Sequence, residues 1–139
     1  HTENKIINYK INNNGSIDVG NPKLLSKIKQ ILSHIYNGEY RELPEAIEIR
    51  GDVISKFPDF IKFNKCYGSC YINCSTIETL KGCPRIVYGH FCVNNNINLK
   101  NIDFLPKIIY GDLYMHECGS KFEKDSIRKI CKIYGKITL

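Results

Sequence analysis

Apolar and polar residues alternate over short stretches of this chain, and the alternation returns at a nearly constant step. Four Tyr-Gly pairs, Tyr67-Gly68, Tyr88-Gly89, Tyr110-Gly111 and Tyr134-Gly135, follow one another at steps of 21, 22 and 24 residues. Two residues before each glycine stand Cys66, Val87, Ile109 and Ile133, and two after stand Cys70, Phe91, Leu113 and Ile137. Four after come Ile72, Val93, Met115 and Leu139. Gly51, with Ile49 before it and Val53 after it, reads as an earlier copy 17 residues upstream of Gly68. Positions two apart share one face of a strand, so these columns predict one inward-facing row per unit. The glycine has the same parity. It is expected to point inward and to leave room for a bulky neighbour in the adjoining coil.

Between the strands the pattern repeats as well. Ile77, Leu80, Gly82 and Pro84 in one unit answer to Ile97, Ile102 and Pro106 in the next. Each unit therefore reads as strand, polar turn, apolar return segment and proline. A unit of that length cannot bury its own face and must stack on its neighbours. The expected fold is α+β: a parallel β solenoid with one strand per coil, in units of 21–24 residues. Residues 43–139 form the solenoid, and residues 1–42 form an N-terminal hairpin and amphipathic cap helix packed on it as one domain. The hairpin is read from "NKIINYKINNNGSIDV", two short strands around an Asn-Gly turn. The helix follows Asn21 and Pro22, carries the stripe Leu24, Leu25, Ile28, Ile31, Leu32 and Ile35, and stops at Gly38. Near the other end, Phe122, Ile127, Ile130 and Cys131 predict a helix over 123–132, and residues 133–139 a closing strand.

Composition narrows the class. A chain of 139 residues without a long apolar run has no membrane span, and nothing at its start reads as a secretion signal. The seven cysteines are odd in number and form no C-x-x-C pair, so they read as reduced thiols of a cytosolic protein. The net charge of +6 is spread along the chain without a basic block and reads as a solvated basic surface. It permits an acidic protein or nucleic acid as partner and argues against mimicry of DNA.

Candidate chemistry is sparse. Cys66, Cys70 and Cys74 have a C-x3-C-x3-C spacing, but the first two fill columns held elsewhere by Val, Ile, Phe and Leu and behave as small hydrophobes. His90-x-Cys92 and His116-x-Cys118 lie in different positions of successive units and are not expected to converge on a metal. A Cys92–His90 nucleophile pair would be about 7 Å apart on a strand, with no third group to orient it. Asp52 and Asp112 share a column but are separated by two coils. No catalytic residue, metal or cofactor is expected, and the chain is read as not an enzyme.

The opposite parity is more informative. Tyr67, Tyr88, Tyr110 and Tyr134 form one outward column with Arg50 in the first unit, Tyr71 and Tyr114 flank Cys92 in another, and Asp52, Ser69, His90, Asp112 and Lys136 run between them. Such a column stiffens a sheet by stacking like residues at the strand spacing. Tyrosine is also the residue that most readily builds a binding hot spot. Tyr67, Tyr71, Tyr88, His90, Tyr110, Asp112 and Tyr114 are therefore the candidate partner-binding residues.

The unit resembles the leucine-rich repeat, whose L-x-L-x-x-N/C core places a short polar residue seven after each glycine: Ser75, Asn96 and Cys118. More closely, "GSCYINCSTIETLKGCP" and "GHFCVNNN" resemble the short repeats of small phage-encoded proteins, over roughly residues 43–139. That resemblance implies a solenoid and a viral effector acting in the host cytoplasm. The expected role is to bind and occlude a bacterial defence complex, a host protein or ribonucleoprotein, as anti-CRISPR proteins do. The alternative is a nucleic-acid-binding module with stacked tyrosines and scattered lysines.

Overall fold

A computed structural model of the chain describes residues 16–18, 26, 41–43, 47–50, 54–59, 62–73, 76–119 and 121–139. Every strand in it pairs in parallel, and the strands fall into two sheets. Sheet A takes β1 (Ser16–Asp18), β3 (Ile47–Arg50), β5 (Cys70–Asn73), β7 (Phe91–Cys92), β9 (Leu113–Tyr114) and β11 (Ile137–Thr138) in that order. Sheet B takes β2 (Arg41–Leu43), β4 (Phe63–Cys66), β6 (Ile86–Val87), β8 (Ile108–Ile109) and β10 (Lys132–Ile133). The chain is a parallel β solenoid in which each coil contributes one strand to sheet B, bends, and contributes the next to sheet A.

The expectation of one strand per coil is therefore corrected. Each Tyr-Gly pair sits in a bend between β4 and β5, β6 and β7, β8 and β9, or β10 and β11. Alternation continues across the bend, so both flanking residues still point inward and the sequence reads as one strand. Cys66, Val87, Ile109 and Ile133 are buried from sheet B, and Cys70, Phe91, Leu113 and Ile137 from sheet A. Ile72, Val93 and Met115 are buried behind them, but Leu139 is exposed.

The glycine's role differs too. A Cβ on Gly89 would lie 2.7 Å from the backbone nitrogen of Ser69 and 2.8 Å from the carbonyl carbon of Gly68. On Gly111 it would meet the carbonyl carbon of Gly89 at 2.7 Å. The missing side chain makes room for the backbone of the preceding coil, not for a bulky neighbour. Bonds of 3.0 Å from Gly89 N to Gly68 O, Gly111 N to Gly89 O and Gly135 N to Gly111 O run up this corner.

Coil length matches the repeat. Cys70 pairs with Phe91, Phe91 with Leu113, and Leu113 with Ile137. The first unit does not. Ile47 pairs with Cys70 and Leu43 with Cys66, so the step there is 23 residues and not the 17 that counting from Gly51 gives. Ile49 belongs with Ile72. β1 pairs in parallel with β3, adding a strand to sheet A. The upstream half of the expected hairpin and the amphipathic helix over 21–37 lie outside the described residues, apart from Ser26, which is helical.

In the return segments Ile77, Leu80, Pro84 and Pro106 are buried as the pattern requires, while Ile97 is 61% exposed and Leu99 takes its place. The bond from Lys100 N to Glu78 O sets this alignment, one coil apart. In the last coil the return segment is helix α1 (Lys124–Ile130), which buries Ile127 and ends where Cys131 N bonds to Ile127 O. Ile130 is exposed. The expected closing strand is divided into β10 and β11 by its Tyr-Gly bend. Among the described residues, no helix is long and apolar enough to cross a membrane.

Candidate functional site

The bend at each glycine sorts the candidate residues into two groups. On the sheet-B side, Tyr67, Tyr88, Tyr110 and Tyr134 stack ring on ring. Their centroids are 5.1, 5.0 and 5.0 Å apart and their planes lie within 9° of parallel. Neighbouring strands are about 4.8 Å apart, so the coil repeat itself sets this spacing. Lys132 places its ammonium 5.0 Å from the Tyr134 centroid and covers that ring. The rings remain 39–58% exposed, but inside the stack their faces are turned to each other, so their edges and hydroxyls face solvent. Among the described residues, the Tyr88 and Tyr110 hydroxyls bond to no protein atom.

On the sheet-A side, the residue after each glycine accepts a hydrogen bond from the corresponding N–H of the next coil. Ser69 Oγ accepts from His90 N at 2.9 Å, His90 Nδ1 from Asp112 N at 2.9 Å, and Asp112 Oδ1 from Lys136 N at 2.8 Å. Ser, His and Asp share one property, a short-armed acceptor, and that is what the position requires. Acceptance at Nδ1 puts the His90 proton on Nε2 in a neutral ring, so the 3.7 Å contact between Nδ1 and Asp112 Oδ2 is not an ion pair. Tyr114 donates its hydroxyl to Asp112 Oδ2 at 3.0 Å and stands edge-on to His90, with centroids 5.9 Å apart. The Lys136 N–H first, then the Tyr114 hydroxyl, hold the Asp112 carboxyl below its ordinary range. The same bond to Asp112 pushes the Tyr114 phenol up.

The structure thus joins His90, Asp112 and Tyr114 by hydrogen bonds and ring contact. It joins Tyr67, Tyr88 and Tyr110 by stacking. Tyr71 lies on β5, separated from Tyr114 by Cys92 on β7. A second polar column lines the bend beyond sheet A. Asn96, 1% exposed, donates to the carbonyls of Val93 and of Ile72 in the preceding coil, the latter at 3.1 Å. Cys118 Sγ donates to Val93 O at 3.1 Å. Asn96 and Cys118 are the short polar residues seven after the glycine, and both bond the backbone, while Ser75 lies outside the described residues. Residues just before them, Asn95 and Glu117, take left-handed conformations with φ of 64° and 55°.

Among the described residues, Cys66, Cys70, Cys83 and Cys131 are buried and Cys92 and Cys118 half-buried, all as thiols outside any disulfide. The hydrogen bond with the Cys66 thiol, and after it burial, pushes the Cys70 thiol up, and burial does the same to Cys83. Among the described residues no three His, Cys, Asp or Glu side chains converge as a metal site.

One surface went unrecognised in the sequence. Arg85 and Lys107 stand four residues before their glycines, and Lys65 and Lys132 three before theirs. The fold gathers such cations where return segments enter sheet B, around a concavity of about 430 Å³ lined by Lys62, Lys81, Arg85 and Lys107. Lysines read singly along the chain conceal this. Setting the units beneath one another would have revealed part of it. Comparisons with family models, curated proteins and solved structures gave no match.

Proposed function

We propose that this solenoid is a non-enzymatic interaction protein whose partner docks along the tyrosine column and the adjoining His90, Asp112 and Tyr114. One observation carries the reading. Four exposed rings are held rigid by stacking while the hydroxyls of Tyr88 and Tyr110 make no bond to the described residues. Rings ordered in advance lose little entropy on binding, and unbonded hydroxyls add directional contacts. A protein surface suits such an edge better than a base does. Inserting a base between rings 5.0 Å apart would require separating hydrogen-bonded coils, which weighs against a nucleic-acid module built on the stacked tyrosines.

The resemblance to phage-encoded repeats directs the reading further, to an effector in the host cytoplasm that occludes a bacterial defence complex of CRISPR type. Occlusion needs surface and no turnover. The test is capture from bacterial extract with wild-type protein and with the Tyr88→Phe/Tyr110→Phe variant, followed by plasmid interference in a CRISPR-active strain. A nuclease-resistant partner retained by the wild type and lost by the variant, with interference relieved only by the wild type, supports the proposal. Equal capture by both proteins overturns the site, and undiminished interference overturns the anti-defence role.

A further inference from the structure

We propose a second binding site, distinct from the tyrosine column: a basic groove crossing the coils that holds the phosphate backbone of single-stranded nucleic acid. Three concavities adjoin one another through shared lysines. One, of about 340 Å³, shares Lys62 and Lys81 with the 430 Å³ concavity, which in turn shares Lys107 with a third of about 530 Å³. The track follows the sheet-B strands from β4 to β10, three coil steps of about 4.8 Å each. Lys62, Lys81, Arg85, Lys107, Arg128 and Lys129 line it. Among the described lining residues two carboxylates stand against them, and one of these, Asp59, already lies 3.9 Å from Lys56. Among the described residues, the ammonium groups of Lys81 and Lys107 make no ion pair.

The spacing favours a linear polyanion over a compact one, because the cations recur coil by coil along one line. A single strand is favoured over an acidic protein segment by Phe104. It lines the same concavity, is 46% exposed, and has no other ring packed on it among the described residues. An exposed aromatic ring among cations is the combination that holds unpaired bases and their phosphates. The groove meets the tyrosine column only at Lys132, which lines the third concavity and covers Tyr134, while Lys81, Lys107 and Phe104 lie away from the stack, so either site can fail without the other.

The test is fluorescence anisotropy with labelled oligothymidylate and oligouridylate of about 12 nucleotides, a length within the usual single-strand site sizes. If about four of these cations meet phosphates, log affinity falls with log salt with a slope of about −2.8, an approximately 50-fold loss between about 50 and about 200 mM. Lys81→Glu/Lys107→Glu, at two exposed positions, should lower affinity at least about tenfold with an unchanged melt. Phe104→Ala should lower affinity while leaving the salt slope intact. Absence of binding at the lower salt overturns the proposal, as does wild-type affinity in the double lysine variant. Equal competition by an oligoglutamate peptide would assign the groove to an acidic protein instead and would also overturn it.

Discussion

Gly89→Ala should destabilise the protein, and the sign of the effect is the informative part. Gly89 is not among the residues with left-handed backbone, so alanine meets no dihedral penalty there. On that ground alone the substitution would stabilise by about 0.4–1 kcal/mol, through the reduced entropy of the unfolded chain. The structure opposes this gain with sterics. The new Cβ would lie 2.5 Å from Ser69 Oγ, 2.7 Å from Ser69 N and 2.8 Å from Gly68 C. The hydroxyl can rotate, but the backbone atoms are held by the 3.0 Å bond from Gly89 N to Gly68 O and by the 2.9 Å bond from His90 N to Ser69 Oγ. Overpacking of this kind costs about 1–3 kcal/mol, and weakening one corner bond adds about 0.5–1.5 kcal/mol. The net expectation is a loss of about 2 kcal/mol, or a melting temperature lower by about 6 °C at this chain length. Circular dichroism melts and urea titrations of the two proteins measure it. A Gly89→Ala protein as stable as the wild type, or more so, refutes the close-approach account of the corner.

Further outcomes follow from the same geometry. Tyr110→Ala removes two ring contacts and should cost about 1–3 kcal/mol in a denaturant titration, whereas Tyr110→Phe should leave the melt unchanged. Asn96→Leu removes the buried donor to Ile72 O and leaves Val93 O only the weaker Cys118 thiol, and should cost about 1–3 kcal/mol, measured the same way. Asp112 has its carboxyl held down, so its stabilisation is present above the ordinary carboxylate value and is lost as pH falls through the lowered one. Melting followed from about pH 6 to about pH 2 should show the gap between wild type and Asp112→Asn closing at the acid end. Tyr114, pushed up, loses its bond to Asp112 only as pH rises through its raised value. In a Cys74→Ser background, a thiol reagent should label Cys92 first, since Cys118 is pushed up to about 11 by burial and the remaining described cysteines are buried.

The repeat was legible because inward columns are chemically uniform: the positions two before and two after each glycine are apolar in every unit from Cys66 to Ile137. The corner was not, since period-two alternation is the same on a straight strand and across a bend. The stacked tyrosines were legible as a column, but their closure against bases depends on a spacing that only the coils set. The acceptor ladder was hidden because Ser69, His90 and Asp112 look unrelated until their shared ability to accept a backbone N–H is seen. The first coil was misaligned because Ile49 and Gly51 imitate the later Tyr-Gly context, while pairing of Ile47 with Cys70 decides the actual alignment.

The central claim is that the faces of the tyrosine stack serve the fold and its hydroxyl edge serves the partner. The most direct measurement is calorimetric titration of the captured partner into wild-type protein and into Tyr88→Phe/Tyr110→Phe, with melts of the same samples. Two hydroxyl bonds at about 0.5–1.5 kcal/mol each predict an affinity about tenfold weaker with no change in melting temperature. Full affinity in the variant would contradict the claim, and so would a lowered melt accompanying the lost affinity.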